Sequence, residues 1–210
     1  MDKRKLISDI LKVLIVLLTI AGVLIMLFGN PEGGSGLTAK GIENLKFYTV
    51  LTNVFCGIIA FISIFIRNSK VMDVLKLAAT AGVMVTFAVI AFFLAPANPG
   101  LNLYSGSNLI FHLIEPLAAA LEYLISPKQK QPFVYCVYAA VPTFLYGACY
   151  LANLLINGVG GPWPESNDFY GFLNWGYPVG MCIFAGITLV AFGISCLLRK
   201  ISNSVNKEKA

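Results

Sequence analysis

Apolar residues arrive along this chain in six long blocks, about Leu11–Phe28, Phe47–Ile66, Val71–Ala95, Leu109–Ile125, Phe133–Ile156 and Gly176–Leu198. Short polar turns or stretches rich in Gly and Pro separate them. A bilayer hydrocarbon core about 30 Å thick is crossed by roughly 20 apolar residues in α-helix, so each block predicts one membrane-crossing helix. The expected fold is an all-α membrane protein, a six-helix transmembrane bundle forming one domain over residues 1–210.

Two blocks carry polar residues at helical spacing. Residues at i, i+3, i+4 and i+7 share a helix face, and from Thr49 that face runs Thr49, Thr52, Asn53, Cys56, Gly57, Ala60, Ser63 and Arg67. The opposite side is Leu51, Val54, Phe55, Ile58, Ile62 and Phe65. In the fourth block Asn108, His112, Glu115, Ala119, Glu122 and Ser126 form one stripe, and Leu109, Leu113, Leu117, Leu121 and Leu124 fill the remainder. The apolar faces are expected toward lipid and the polar ones toward other helices. An ionisable residue in a spanning segment is costly, roughly 2.5–3.5 kcal/mol for Asp at a helix centre on the insertion scale, so the stripe is a functional candidate.

Charge sets the orientation. Lys3, Arg4, Lys5, Lys12, Arg67, Lys70, Lys76, Lys128, Lys130, Arg199, Lys200, Lys207 and Lys209 fall on one side of the six-helix path, whereas the other side holds Lys40 and Lys46 with Glu32, Glu43, Glu165 and Asp168. Basic residues in short loops stay in the cytoplasm, so both termini are expected there, in a multi-pass protein of the cytoplasmic membrane. The net charge of +5 then follows from topology and calls for no nucleic-acid partner. The first block has a basic start, like a signal peptide, but its apolar run is longer than an ordinary h-region and "GNPEGGSGL" offers no A-x-A cleavage site. It is kept as the first helix.

Composition agrees, with 58% of residues hydrophobic and 12% charged, far from the balance of a water-soluble domain. The five cysteines, Cys56, Cys136, Cys149, Cys182 and Cys196, lie in apolar blocks without a C-x-x-C pair and are expected to be free and buried. His112 is the single histidine, so neither a zinc site nor a bis-histidine haem is expected, and no metal or cofactor is assigned. The loops on the outer side are the longer ones, and they carry Tyr104, Trp163, Tyr170, Trp175 and Tyr177. Two readings fit these aromatics, an interfacial belt and a lid.

Helices 2 and 4 enter from the same outer face, near Lys46 and Asn108, which puts Thr49 and His112 three to four residues inside. At about 1.5 Å per residue both lie roughly 5–6 Å below their helix starts. If the two helices are neighbours, a hydroxyl and an imidazole meet, the minimum for a hydroxyl nucleophile with a general base. Thr52 lies one turn, about 4.5 Å, deeper. A threonine bonded back to its own helix and a histidine that merely packs form the alternative reading.

Lys46-Phe47-Tyr48-Thr49 at the head of helix 2, with Thr52-Asn53 following, and His112 with Pro116 and Glu122 in helix 4, resemble the androgen-induced and androgen-dependent family of transmembrane threonine hydrolases and its prokaryotic relatives. The resemblance implies a small polytopic enzyme that cleaves fatty acid esters of hydroxy fatty acids, with the nucleophile on Thr49 and the histidine on His112. Val50, Thr52 and Leu113 depart from the residues usual in the best-known members. The expected activity is an intramembrane lipid-ester hydrolase acting on a lipid ester substrate among membrane lipids. Asn53, one turn below Thr49, is the oxyanion candidate, and Glu115, one turn below His112, is the candidate for orienting the ring or a substrate polar group. Glu122 is expected to be structural, near the cytoplasmic end and too far from Arg67 to pair comfortably. Two other readings stand beside this one. In a transporter or channel, Glu115, Glu122 and His112 would form a proton or cation path; in a non-catalytic lipid-binding protein, the stripes would be packing faces.

The charge asymmetry generates the first prediction. A cysteine introduced at Glu165 should react with a membrane-impermeant maleimide in intact cells, and one at Lys3 only after permeabilisation. The reverse pattern would overturn the orientation.

Overall fold

The computed structural model describes residues 3–29, 41–67, 69–97, 99–100, 102–162 and 165–207. Glu32, Lys40, Trp163 and Lys209 lie outside the described residues. Among the described residues six helices are long and apolar enough to cross a membrane, which makes the chain a multi-pass integral membrane protein. They are α1 (Lys3–Phe28), α2 (Tyr48–Phe65), α3 (Lys70–Ala97), α4 (Ser107–Ile125), α5 (Val134–Asn157) and α6 (Tyr177–Lys207). Short 3₁₀ helices at Gly41–Lys46 and Phe172–Trp175 lead into α2 and α6. The described residues form no strand, only an isolated bridge between Gly160 and Ser166.

Four of the six apolar blocks match their helices to within about two residues. The other two helices run past their blocks, α1 beginning at Lys3 and α6 continuing to Lys207. Polar residues in these extensions find partners on neighbouring helix ends. Arg4 Nε donates to the Ile125 carbonyl at 3.1 Å, satisfying an end carbonyl of α4, and its Nη2 donates to Asn206 Oδ1 at 3.1 Å. Asn203 Oδ1 accepts from Gln131 N at 2.9 Å and its Nδ2 donates back to the Gln131 carbonyl at 3.0 Å. Apolarity alone therefore under-measures these helices.

α3 is the most enclosed of the six and packs on α2, α4, α5 and α6. Its buried stretch Ala78-Ala79-Thr80-Ala81-Gly82 is made of small residues, which let backbones approach where the hydrophobic effect gives no drive between helices in lipid. The outer surface is apolar, with Phe28, Phe65, Phe92, Phe93 and Ile156 each largely exposed.

The helix-face assignment for α4 agrees in part, since Asn108 of the inward stripe is only half-buried and Leu113 and Leu124 are half-buried rather than fully exposed, Leu124 against the core of Leu77, Tyr123 and Ala139. Phe111, His112, Glu115, Pro116, Ala119, Glu122, Tyr123 and Ser126 are buried, and Leu109, Leu117 and Leu121 are exposed. For α2 the expected lipid face is too wide. Leu51, Ile58 and Phe65 are exposed, but Phe55 and Ile62 are half-buried against the core of Ile15, Cys56, Ile59, Met72 and Val83, because α1 and α3 grip α2 from two sides. Arg67 points out of the bundle and pairs with Asp9 at 3.2 Å. The cysteines need a correction as well. All five are free, but only Cys56 and Cys136 are buried, and Cys149 and Cys182 lie on exposed flanks of α5 and α6.

Glu122 is held by Lys76 of α3 at 2.7 Å and by the Ser8 hydroxyl of α1 at 2.8 Å, and Lys76 also reaches Ser126 Oγ at 3.2 Å. The pair clamps α1, α3 and α4 near the basic end, beside a cavity of about 10 Å³ lined by Cys56, Thr80 and Ala119, at the lower limit for one water. Removing one member of a buried pair leaves a charge alone and costs about 3–5 kcal/mol, whereas replacing both with apolar groups is close to neutral. Glu122→Gln or Lys76→Met should therefore lower the melting temperature sharply, and Lys76→Met with Glu122→Leu should recover most of the loss in the same thermal unfolding assay.

Candidate functional site at the head of α2 and α4

The site begins with a proline. Pro116 has no N–H, and in a regular helix its ring would crowd the carbonyl of His112. α4 responds with a π-turn over Ile110–Ile114, in which the Glu115 N–H reaches back to the Ile110 carbonyl. That shift strands the Phe111 carbonyl. Its α-helical donor, the Glu115 N–H, is diverted, and its π-helical donor would be residue 116, the proline. A buried carbonyl without a partner costs about 1–3 kcal/mol, and Asn53 supplies the partner from α2, its Nδ2 donating to Phe111 O at 3.1 Å and to Thr49 O at 2.7 Å. α3 repeats the device before Pro96, with a π-turn at Ile90–Leu94 and the Ala95 N–H on Ile90 O.

Asn53 thereby answers whether α2 and α4 are neighbours. One amide nitrogen bonds the carbonyls of Thr49 and Phe111, so the turns carrying Thr49 and His112 lie side by side. Their registers differ from the expectation in one respect. α2 begins at Tyr48, so Thr49 is in its first turn, whereas His112 is five residues beyond the start of α4 at Ser107.

His112 is buried, and its Nδ1 lies 2.7 Å from the Leu103 carbonyl. A carbonyl can only accept, so the neutral ring carries its proton on Nδ1 and keeps the lone pair on Nε2. Leu103 belongs to the α3–α4 loop and is itself buried. That loop enters α4 through Gly106, whose φ of 55° and ψ of −133° only glycine adopts readily. The partner expected for the ring is the Glu115 carboxylate. The structure uses a backbone carbonyl, which leaves no signature in side-chain patterns apart from the glycine.

Thr49 and Thr52 are distinguished by hydrogen bonding. The Thr52 hydroxyl folds back onto Tyr48 O at 2.9 Å and Thr49 O at 3.2 Å, the usual state of a helix threonine. Thr49 is half-buried, and among the described residues its hydroxyl has no hydrogen-bond partner. No hydrogen bond joins it to the His112 ring. The first-turn N–H groups of Thr49 and Val50 are likewise without a partner among the described residues, as the start of a helix dictates.

The remaining candidates take other positions. Both N–H bonds of Asn53 go to backbone carbonyls, so they cannot face an oxyanion, and its Oδ1 is buried without a partner. Glu115 is fully buried and takes the Thr19 hydroxyl of α1 at 2.8 Å rather than the His112 ring. Glu122 sits in the separate Lys76–Ser8 network.

The α5–α6 loop caps the site. α2 lacks a side-chain cap at Phe47, and the Tyr48 N–H donates instead to Tyr170 OH at 2.8 Å. Tyr150 OH donates to Asp168 Oδ1 at 2.7 Å, and Asp168 also accepts from the N–H groups of Phe172 and Leu173. Tyr48 OH meets Thr143 Oγ1 at 2.7 Å, and Tyr146 OH donates to the Lys46 carbonyl at 2.7 Å. Burial of Tyr170 pushes its phenol up to about 12, so it stays a neutral partner. The outer aromatics thus divide. Tyr170 is docked inward, whereas Trp175 and Tyr177 are exposed.

No protein-family model, curated protein or solved structure matches this chain.

The link from Pro116 to Asn53 is testable by a double-mutant cycle. Asn53→Leu should cost about 1–3 kcal/mol, since it leaves buried carbonyls unpaired, and should cost clearly less in a Pro116→Ala background, where residue 116 regains its N–H. Equal losses in both backgrounds, measured by thermal or denaturant unfolding, would break the link.

Proposed function

We propose that the protein is an intramembrane lipid-ester hydrolase in which Thr49 is the nucleophile and His112 the general base. The observation that carries this reading is the contrast at the head of α2. The hydroxyls of Thr52, Tyr48 and Tyr146 are engaged and the Asn53 nitrogen is taken up by backbone carbonyls, while the Thr49 hydroxyl stays uncommitted. It lies on the turn next to a histidine whose Nδ1 is tied to Leu103 and whose Nε2 carries the lone pair. The resemblance of the Lys46–Thr49 and His112–Pro116 segments to the androgen-induced family of hydrolases points to the same two residues.

In this mechanism His112 Nε2 takes the proton of Thr49 as Oγ1 attacks the ester carbonyl. The tetrahedral intermediate collapses by breaking the bond to the alcohol oxygen, which receives that proton from the imidazolium. The acyl-threonine is then hydrolysed by water, again with His112 as base, which releases the fatty acid and restores the hydroxyl. Oxyanion stabilisation falls to the free N–H groups of Thr49 and Val50 at the positive end of α2, replacing the Asn53 amide considered from sequence. With both termini cytoplasmic, the site opens toward the outer leaflet.

Purified protein in lipid nanodiscs, given a panel of ester lipids including fatty acid esters of hydroxy fatty acids, should release fatty acid. Thr49→Ala and His112→Ala should each lower turnover by orders of magnitude without loss of fold, and the double variant should be no worse than either. Thr52→Ala should keep substantial activity. Wild-type rates in Thr49→Ala would end the esterase reading.

A further inference from the structure

Two buried acceptor atoms, Asn53 Oδ1 and Glu115 Oε2, have no hydrogen-bond partner among the described residues. They belong to one junction of α1, α2 and α4. Asn53 turns its nitrogen toward Thr49 and Phe111, on the outer side, so its oxygen, on the other side of Cγ, faces one turn inward. Glu115 stands one turn inward of Phe111 on α4. On α2 the residue one turn inward of Asn53 is Gly57, where an added Cβ would collide with Thr19 of α1, and the Thr19 hydroxyl, shared with the Ile15 carbonyl at 2.9 Å, lies 2.8 Å from Glu115 Oε1.

The charges around this junction decide its chemistry. From α2 it is faced by the Cys56 thiol, from α1 by the Thr19 hydroxyl, and along α4 by His112, whose Nδ1 is engaged with Leu103. Lys12 and Arg67 are committed to Asp9, and Lys76 to Glu122. A carboxylate here would be fully buried with no countercharge, and its oxygen would meet the carboxamide oxygen, acceptor against acceptor. Glu122, two turns further in, shows what an ionised glutamate in this bundle looks like, with an ammonium and a hydroxyl at hydrogen-bond distance.

We infer that Glu115 is held as a neutral carboxylic acid whose Oε2–H donates to Asn53 Oδ1, and that it is thereby the positioning residue of the site. One proton satisfies both orphan oxygens. It fixes the rotation of the Asn53 carboxamide, and that carboxamide holds the turn of Thr49 against the turn of His112. Glu115 touches neither reacting group; its part in turnover rests on the Thr49–His112 reading, whereas its protonation does not.

The test pairs infrared spectroscopy with kinetics on the full-length protein in nanodiscs. At neutral pH the wild type should show the C=O stretch of an un-ionised carboxylic acid, shifted by ¹³C-labelled glutamate, absent in Glu115→Gln and retained in Glu122→Gln. Gln can still donate to Asn53 and accept from Thr19, so Glu115→Gln should keep turnover within about threefold. Glu115→Ala should lower kcat at least tenfold with KM little changed. Absence of the band, or its persistence in Glu115→Gln, overturns the inference, as does wild-type kcat in Glu115→Ala. Should that variant fail to fold, Glu115→Leu, close in volume but without a donor, takes its place under the same criterion. A wild type that shows the band but cleaves no ester removes the esterase reading and leaves the protonated Glu115 standing.

Discussion

The Phe111 carbonyl is the constraint on which the upper half of this bundle turns. Pro116 and the π-turn deprive it of any donor from its own helix, and in a membrane no water is at hand to replace one. Asn53 is the response, and it does more than quench a local deficit. Because its nitrogen also takes Thr49 O, the repair of a break in α4 becomes the bolt between α4 and the head of α2. The rest of the junction follows from the close approach that this bolt requires, with Gly57 giving Thr19 room and Gly22 giving room to the Phe111 ring.

Much of the architecture was legible from pattern because lipid imposes simple rules. The six apolar blocks became six helices, and the α4 stripe turned inward as its spacing demanded. What escaped were features governed by hydrogen bonds over long sequence distances. The extensions of α1 and α6 are polar, so apolarity could not reveal them; they exist because Arg4 finds the end of α4 and Asn203 finds Gln131. The width of the inward face of α2 depended on having helices on two sides, which no single segment encodes.

For the site, residue types were readable and roles only partly so. The pairing of α2 with α4 could have been argued from Pro116, since a proline within a buried helix leaves a carbonyl in need and Asn53 was the polar residue on a facing stripe. The assignment of Asn53 to an oxyanion and of Glu115 to the His112 ring treated side chains as free agents. In the folded chain the backbone has first claim, through Phe111 O, Thr49 O and Leu103 O. Side-chain patterns do not record which backbone groups a proline or a π-turn has left open.

The loop that docks on α2 also orders events in time. The donor that needs capping is the N–H of Tyr48, and its cap is Tyr170, 122 residues later in the chain. In a chain made from its N-terminus, α2 is synthesised long before Tyr170. Until then the Tyr48 N–H is without its cap. The uncommitted hydroxyl is thus assembled last, when α5 and the segment leading to α6 have arrived, and a nascent chain stalled earlier carries the two helices without the closed outer end.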